Sequence, residues 1–144
     1  MAITSAICNS FKVQILTGTH NFTVTSGDTF NLALYTSSAT LNKSTTVYIT
    51  TNEVATATGY TAKGKALTSV TPVLSSDTAV CDFANVSWTS ASFTSRGCLI
   101  FNDSAASDQA VCTIDFGGDK TVTSGTFTIE FPAPNAGTAI IGIA

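Results

Sequence analysis

The chain reads as an all-β protein, an antiparallel β-sandwich or jelly-roll-like barrel of eight to ten strands with little or no helix. Three observations predict it. Of 144 residues, 42 are Ser or Thr, and only 10% are charged against about 25% in a typical globular domain. Apolar and hydroxyl side chains alternate along many segments; Phe127, Ile129 and Phe131 share one parity while Thr126, Thr128 and Glu130 share the other. Period-two patterning marks strands with one face in a core and one outside, and Thr, being β-branched, suits a pleated surface. Finally, the apolar runs are short and separated by small polar residues, the punctuation of a sandwich or barrel.

Taken in order, Ser10 to Leu16 alternates, with Phe11, Val13 and Ile15 on one side and Lys12 and Gln14 on the other, which predicts a strand. After the polar stretch Gly18 to Ser26, a strand is expected over Asp28 to Thr36 with Phe30, Leu32 and Leu34 on one face, and another over Thr45 to Thr50. Thr51 to Ala57 supplies one helical turn, with Asn52 able to cap and Glu53 suited to a first turn. Leu67 to Leu74 contains Pro72, which lacks a ladder donor and makes this strand an edge or a bulged one. Strands then follow at Thr78 to Phe83, Ala91 to Thr94, Cys98 to Phe101, Ala110 to Phe116 and Thr126 to Phe131, with turns expected at Gly117-Gly118-Asp119-Lys120 and Ser124-Gly125. The expected core comprises Phe11, Ile15, Phe30, Leu32, Leu34, Ile49, Leu74, Phe83, Ile100, Cys112, Ile114, Phe116, Phe127 and Ile129.

Residues 10–136 form a single domain on this reading, with an N-terminal arm over 1–9 and a C-terminal strand or arm over 137–144. Both ends are apolar without the alternation of a half-exposed strand, so Ile3, Ile7, Ile140, Ile141 and Ile143 are expected to find partners elsewhere, as a strand added to a neighbour's open sheet edge. The competing outcome is that the tail closes its own sheet.

The net charge of −3 and a pI near 4.7, with six scattered basic residues, argue against nucleic acid as a partner. The most apolar terminal run, Ala139 to Ala144, falls far short of the ~20 residues of a spanning helix. The start of the sequence lacks the basic and apolar regions of a secretory signal, so assembly in a cytoplasm is expected. Four cysteines, Cys8, Cys81, Cys98 and Cys112, contain no Cys-x-x-Cys pair. Buried thiols fit this spacing and compartment best, with one disulfide or a metal site as the alternatives.

Few constellations for chemistry stand out, and no enzymatic role is expected. The lone His20 lies in a hydroxyl-rich loop, Thr-Gly-Thr-His-Asn-Phe-Thr, and no Gly-x-Ser-x-Gly elbow accompanies it. Asp115 and Asp119 flank Phe-Gly-Gly, but Asp115 is opposite in parity to the core and faces solvent, without cause for a raised pKa. The loop Asn102 to Asp108 offers oxygen ligands for calcium yet lacks the Asp-x-Asp-x-Asp-Gly pattern. No metal or cofactor is therefore expected. Four Asn-x-Ser/Thr sequons, at Asn21, Asn42, Asn85 and Asn102, are close to the number chance supplies in so hydroxyl-rich a chain. Trp88, Tyr35, Tyr48 and Tyr60 stand in polar contexts, as either a carbohydrate platform or buried and interface anchors.

Several segments together carry a resemblance: Ala33 to Leu41, Thr51-Asn52-Glu53-Val54 with Gly59-Tyr60-Thr61-Ala62, Val86-Ser87-Trp88-Thr89 leading to Arg96 to Asn102, and Asp115 to Lys120 with Gly125 to Ile129. From about Phe11 to Phe131 the chain resembles a family of small virion structural proteins of tailed bacteriophages. Small all-β proteins of that kind resemble head decoration (cement) proteins, which trimerise and clamp neighbouring capsid subunits. The resemblance implies a capsid-surface protein with the major capsid protein as partner and a homotrimeric state; it implies neither nucleic-acid nor membrane binding. Interface residues are then expected among Ile3, Ile7, Tyr35, Tyr60, Trp88, Ile140, Ile141 and Ile143. A neck or tail component, adaptor-associated or fibre-like, is the alternative within the virion, and a carbohydrate-binding β-sandwich module the alternative outside it. The pattern calls for a second glycine where this chain has Lys63, and the cysteines are particular to this chain.

Overall fold

A computed structural model describes residues 2–144. Two antiparallel sheets carry the fold: a five-stranded sheet of order β1-β7-β6-β2-β3 and a three-stranded one of order β4-β5-β8. The strands are β1 (Ala6–Ile7), β2 (Phe30–Tyr35), β3 (Lys65–Ala66), β4 (Ser69–Ser75), β5 (Thr78–Phe83), β6 (Val86–Asn102), β7 (Gln109–Ile129) and β8 (Ile141–Ile143), with one helix, α1 (Asn9–Leu16). The all-β prediction stands.

The segment expected as the first strand is instead α1. Phe11 and Ile15 fit a period of two, but they are also four apart and share a helix face; Phe11 is buried against the core while Val13 and Leu16 project into solvent. The stop is local. Gly18 adopts φ +76°, the Thr19 amide donates to the Gln14 carbonyl and the Gly18 amide to that of Ile15, the bonding of a Schellman cap. Thr51 to Ala57 forms no helical turn: Asn52 takes φ +61° and Glu53 bridges to Tyr35. Thr45 to Thr50 contributes only an isolated bridge, Val47 to Gln109.

β6 and β7 form one long hairpin where four shorter strands and two turns were expected. From Gly97↔Asp115 to Ser95↔Lys120, β6 advances two residues while β7 advances five, leaving three extra residues in β7. The Gly117-Gly118-Asp119 segment is therefore a wide bulge inside a strand, with Gly117 at φ +78°. Further single-residue bulges accompany Ser90 (φ +48°) and Ser124 (φ +45°). Bulges increase local twist. Straight strand from residue 116 to residue 127 would span about 36 Å, yet the rings of Phe116 and Phe127 lie 6.2 Å apart. The outer ribbon is coiled back on itself.

The inner half of this hairpin is the core. Gly97 to Asn102 and Ala110 to Thr113 are buried without alternation, because both faces of the large sheet are covered. On one face Phe30 stacks on Phe22 (4.2 Å) and packs near Phe83 of β5 (6.0 Å). On the other, Tyr48 stacks on Phe101 (4.8 Å) and the Tyr35 hydroxyl donates to the Ile49 carbonyl (2.6 Å). The irregular segment between β2 and β3 supplies that second cover, with Ala39, Leu41, Val54 and Tyr60 buried.

The ends belong to this fold. Ile3 is buried and lies over Gly97, where an added Cβ would sit 2.9 Å from its side chain and 2.4 Å from the Ile114 carbonyl oxygen. β1 pairs with β7, and β8 pairs with β5 through Cys81↔Ile141 and Ala79↔Ile143. The tail thus closes its own sheet rather than extending as an arm. Leu74, expected in the core, is 74% exposed on β4. The Pro72 prediction holds: β4 is an edge strand whose register shifts between Val70 and Val73. All four cysteines are free thiols; Cys8, Cys98 and Cys112 are buried and Cys81 half-buried, and burial raises the pKa of Cys8 and Cys81 to about 11.

Candidate functional site

The expected interface residues separate into two groups. Tyr35, Tyr60 and Trp88, together with Ile3 and Ile141, are at most 7% exposed, so the aromatic three are core anchors and not a surface platform. The signal was in the sequence: Val86-Ser87-Trp88-Thr89 alternates, and Val86 and Trp88 take the inner face. Trp88 packs against Tyr60, Phe93 and Phe127, and the Lys65 ammonium lies 5.9 Å from its ring centroid while donating to the Ser87 carbonyl. Ile7 and Ile140 are half-buried and line one shallow hollow with Cys112 and Ile114. Ile143 is 54% exposed.

Two surfaces have the character of docking sites. The first is a groove of about 600 Å³ in the bend of the ribbon, walled by Ile114, Phe116, Phe127, Ile129, Phe131 and Ile140, with Lys120 and Glu130 also lining it. Four of those residues were expected as core; they are half-buried, because coiling turns the ribbon's apolar face into a concave wall instead of closing over it. The second surface is apolar. Among the described residues, the seven large hydrophobic residues that stand exposed, Val13, Leu16, Val24, Val70, Val73, Leu74 and Ile143, belong to α1, the loop after it, β4 and β8. These elements meet around a groove of about 450 Å³ lined by Ile15, Phe22, Pro72, Ala79, Ile141 and Ile143. Exposed apolar surface concentrated in this way marks interaction sites.

The polar constellations singled out in sequence have structural partners. His20 is 5% exposed, not in an open loop. The Asn102 side-chain oxygen accepts from the Ser104 and Ala105 amides, which fixes its NH2 towards His20 Nδ1 (3.1 Å) and Asp28 (2.8 Å). Nδ1 is therefore an acceptor, and Nε2 donates to Gln14 Oε1 (2.9 Å). Burial lowers the His20 pKa against the opposing pull of Asp28, in keeping with the neutral ring. In the candidate calcium loop the Lys63 ammonium bridges Asp103 (3.0 Å) and Asp108 (2.8 Å), and these two hydrogen bonds raise its pKa. A lysine cation occupies the position considered for a metal. Lys63 sits at φ +72°, the left-handed region where the resemblance calls for glycine. Asp115 faces outward as expected and pairs with Arg96 (2.9 Å); that hydrogen bond, with one from the Gly117 amide, lowers its pKa.

Glu53 is a hub that sequence reading missed. Its carboxylate accepts from the Tyr48 hydroxyl, the Tyr60 hydroxyl (2.7 Å) and the Lys63 amide (2.8 Å). The Tyr60 hydroxyl in turn accepts from the Leu34 amide of β2 (2.9 Å). Burial, reinforced by the Glu53 charge, raises the pKa of both tyrosines. The hub ties the covering segment to the sheet.

No helix among the described residues is long and apolar enough to cross a membrane. Comparison with known proteins finds no matching family model, curated protein or solved structure.

Proposed function

We propose that this chain is a non-enzymatic virion structural protein, a decoration protein that stabilises a bacteriophage head by adding contacts to the major capsid protein. The observation that carries the proposal is the gathering, among the described residues, of the seven exposed large hydrophobic residues on α1, its following loop and the small sheet. A monomer in water gains nothing from that surface; a protein that lies against another does. The resemblance of the Phe11 to Phe131 stretch to phage structural proteins supplies the kind of partner. Burial of Tyr35, Tyr60 and Trp88 removes the aromatic platform on which the carbohydrate alternative was based.

The test is a capsid-binding assay with Leu16→Ser and Leu74→Ser, at positions 87% and 74% exposed. Each is expected to weaken attachment to purified heads while leaving the melting temperature unchanged. Unchanged attachment in the double variant would overturn the proposed docking face. Copy number in purified virions tests the location: the many copies of a capsid lattice support decoration, and the few of a neck or tail ring favour that alternative instead.

A further inference from the structure

α1 is fastened to the body in two different ways. Its first residue is tied through the backbone, where the Asn9 amide donates to the Lys43 carbonyl (2.8 Å). The rest of the helix depends on His20. Phe11, its one buried side chain, packs on His20 (ring centroids 4.9 Å apart) and on Phe22 (5.9 Å). Among the described residues, one side-chain hydrogen bond leaves the helix for another element, and it joins Gln14 Oε1 to His20 Nε2 (2.9 Å). Ile15 adds half-buried contact only.

The surroundings of His20 suit a neutral ring and no other. Nδ1 faces the Asn102 NH2 at 3.1 Å, and Asn102 cannot turn over. Its oxygen holds the Ser104 and Ala105 amides, and its NH2 also donates to Asp28 Oδ2 (2.8 Å). A proton added at Nδ1 therefore meets a donor. Phe11 and Gln14 face the ring from α1, Phe30 from β2 and Asn102 from β6, none of them charged. Cys81 of β5 lines the same groove as a neutral thiol, its pKa raised to about 11 by burial. Lys12, the cation of α1, is turned to Asn9 (3.2 Å). The carboxylate that attracts an imidazolium is Asp28, and its Oδ2 already accepts from the Asn21 amide (2.9 Å) and from Asn102. His20 also lines the groove beside Ile15 and Gly18, which gives protons a way in and the ring a way out.

We propose that His20 is an acid-operated latch on α1: a proton taken from solvent at Nδ1 sets donor against donor at Asn102, the ring leaves its place, and the helix swings free about its tie at Asn9. The ring carries Gln14 with it and uncovers Phe11, so both fastenings go together. Acid drives the release because the freed ring recovers its ordinary basicity, whereas burial holds the docked ring below it. Histidine protonation in mildly acid solution is a known way to move a packed element. α1 and the loop after it carry Val13, Leu16 and Val24 of the exposed apolar face, so the latch acts on the surface proposed to meet the capsid. The release itself is read without any capsid, and either reading can fail without the other.

Amide hydrogen exchange of the full chain at about pH 7.5 and about pH 5, corrected for the intrinsic pH dependence of exchange, tests it. Protection of the Val13 to Thr17 amides is expected to fall about tenfold at the lower pH and to lie below that of Gly97 to Asn102 throughout. His20→Gln removes the titration and is expected to abolish the fall. Asp28→Asn tests the same claim with His20 in place. It keeps an oxygen for the Asn21 and Asn102 donors but loses the attracting charge, so release is expected at lower pH. Imidazole nitrogen shifts of the unaltered chain are expected to show the neutral ring protonated at Nε2. A neutral ring protonated at Nδ1, α1 protection unchanged by acid or equal to that of the inner strands, the same fall in His20→Gln, or release at higher pH in Asp28→Asn would each overturn the proposal.

Discussion

The two halves of the β6–β7 hairpin are built from the same two strands, yet one is core and the other is surface. Gly97 to Asn102 with Gln109 to Thr113 are flanked by β2 on one side and β1 on the other and covered on both faces. Val86 to Arg96 with Phe116 to Ile129 have no flanking strand, keep the alternation of apolar and hydroxyl residues, and show paired hydroxyls outward, Thr94 to Thr121 and Ser87 to Thr128, each at 2.8 Å. The difference lies in cover and composition together: the half covered on both faces is almost continuously apolar, and the half left open on one face alternates apolar with hydroxyl.

The largest expected effects follow that line. Leu99→Ala, at a fully buried inner position, is expected to cost about 3 kcal/mol in a denaturant titration. Ile129→Ala, on the half-buried outer wall, is expected to cost about 1 kcal/mol, since less of its surface leaves water. Equal losses at the two sites would erase the distinction.

Cover on the inner half depends on Glu53. Glu53→Ala leaves the Tyr48 and Tyr60 hydroxyls and the Lys63 amide without their acceptor, and a loss of about 2 kcal/mol is expected. Near-neutral behaviour in the same titration would mean that the covering segment is held by apolar contacts alone.

The other face of the inner half carries a pH dependence. The folded chain lowers the His20 pKa below the ordinary 6.5, so on acidification the unfolded chain takes up a proton before the folded one does. Stability is expected to be fully present above about pH 6.5 and to fall as the pH drops from there towards the folded value. His20→Gln should flatten that part of the stability profile; an identical slope in the variant would assign it to other groups. The smallest effect is expected where the two halves join. Arg96 and Asp115 form a half-exposed pair, and Arg96→Gln should leave the melting temperature nearly unchanged in low or high salt.

The same comparison explains what was legible in the sequence. β2, β5 and the Pro72 edge could be read because their alternation, their boundaries and a missing donor are local facts. The inner half was legible as strand, but not as doubly buried, since its second cover is an irregular segment with no periodic signal. α1 was lost because Phe11 and Ile15 satisfy both periods; Gly18, three residues after the helix-face position at Ile15, was the available stop signal. The ribbon was divided at Gly117-Gly118 and Ser124-Gly125 because residues that reach positive φ serve bulges as well as turns, and only the partner strand distinguishes the two. Hence Phe116, Phe127 and Ile129 were expected inside, where their parity put them, although the bulges turn that face into an open groove.

Residue-resolved amide hydrogen exchange tests the division most directly. Slow exchange is expected in Gly97 to Asn102 and Ala110 to Thr113, and fast exchange for the amides of Lys120 to Ile129 that face away from β6. Protection of those outer amides as strong as that of the inner half would contradict the division.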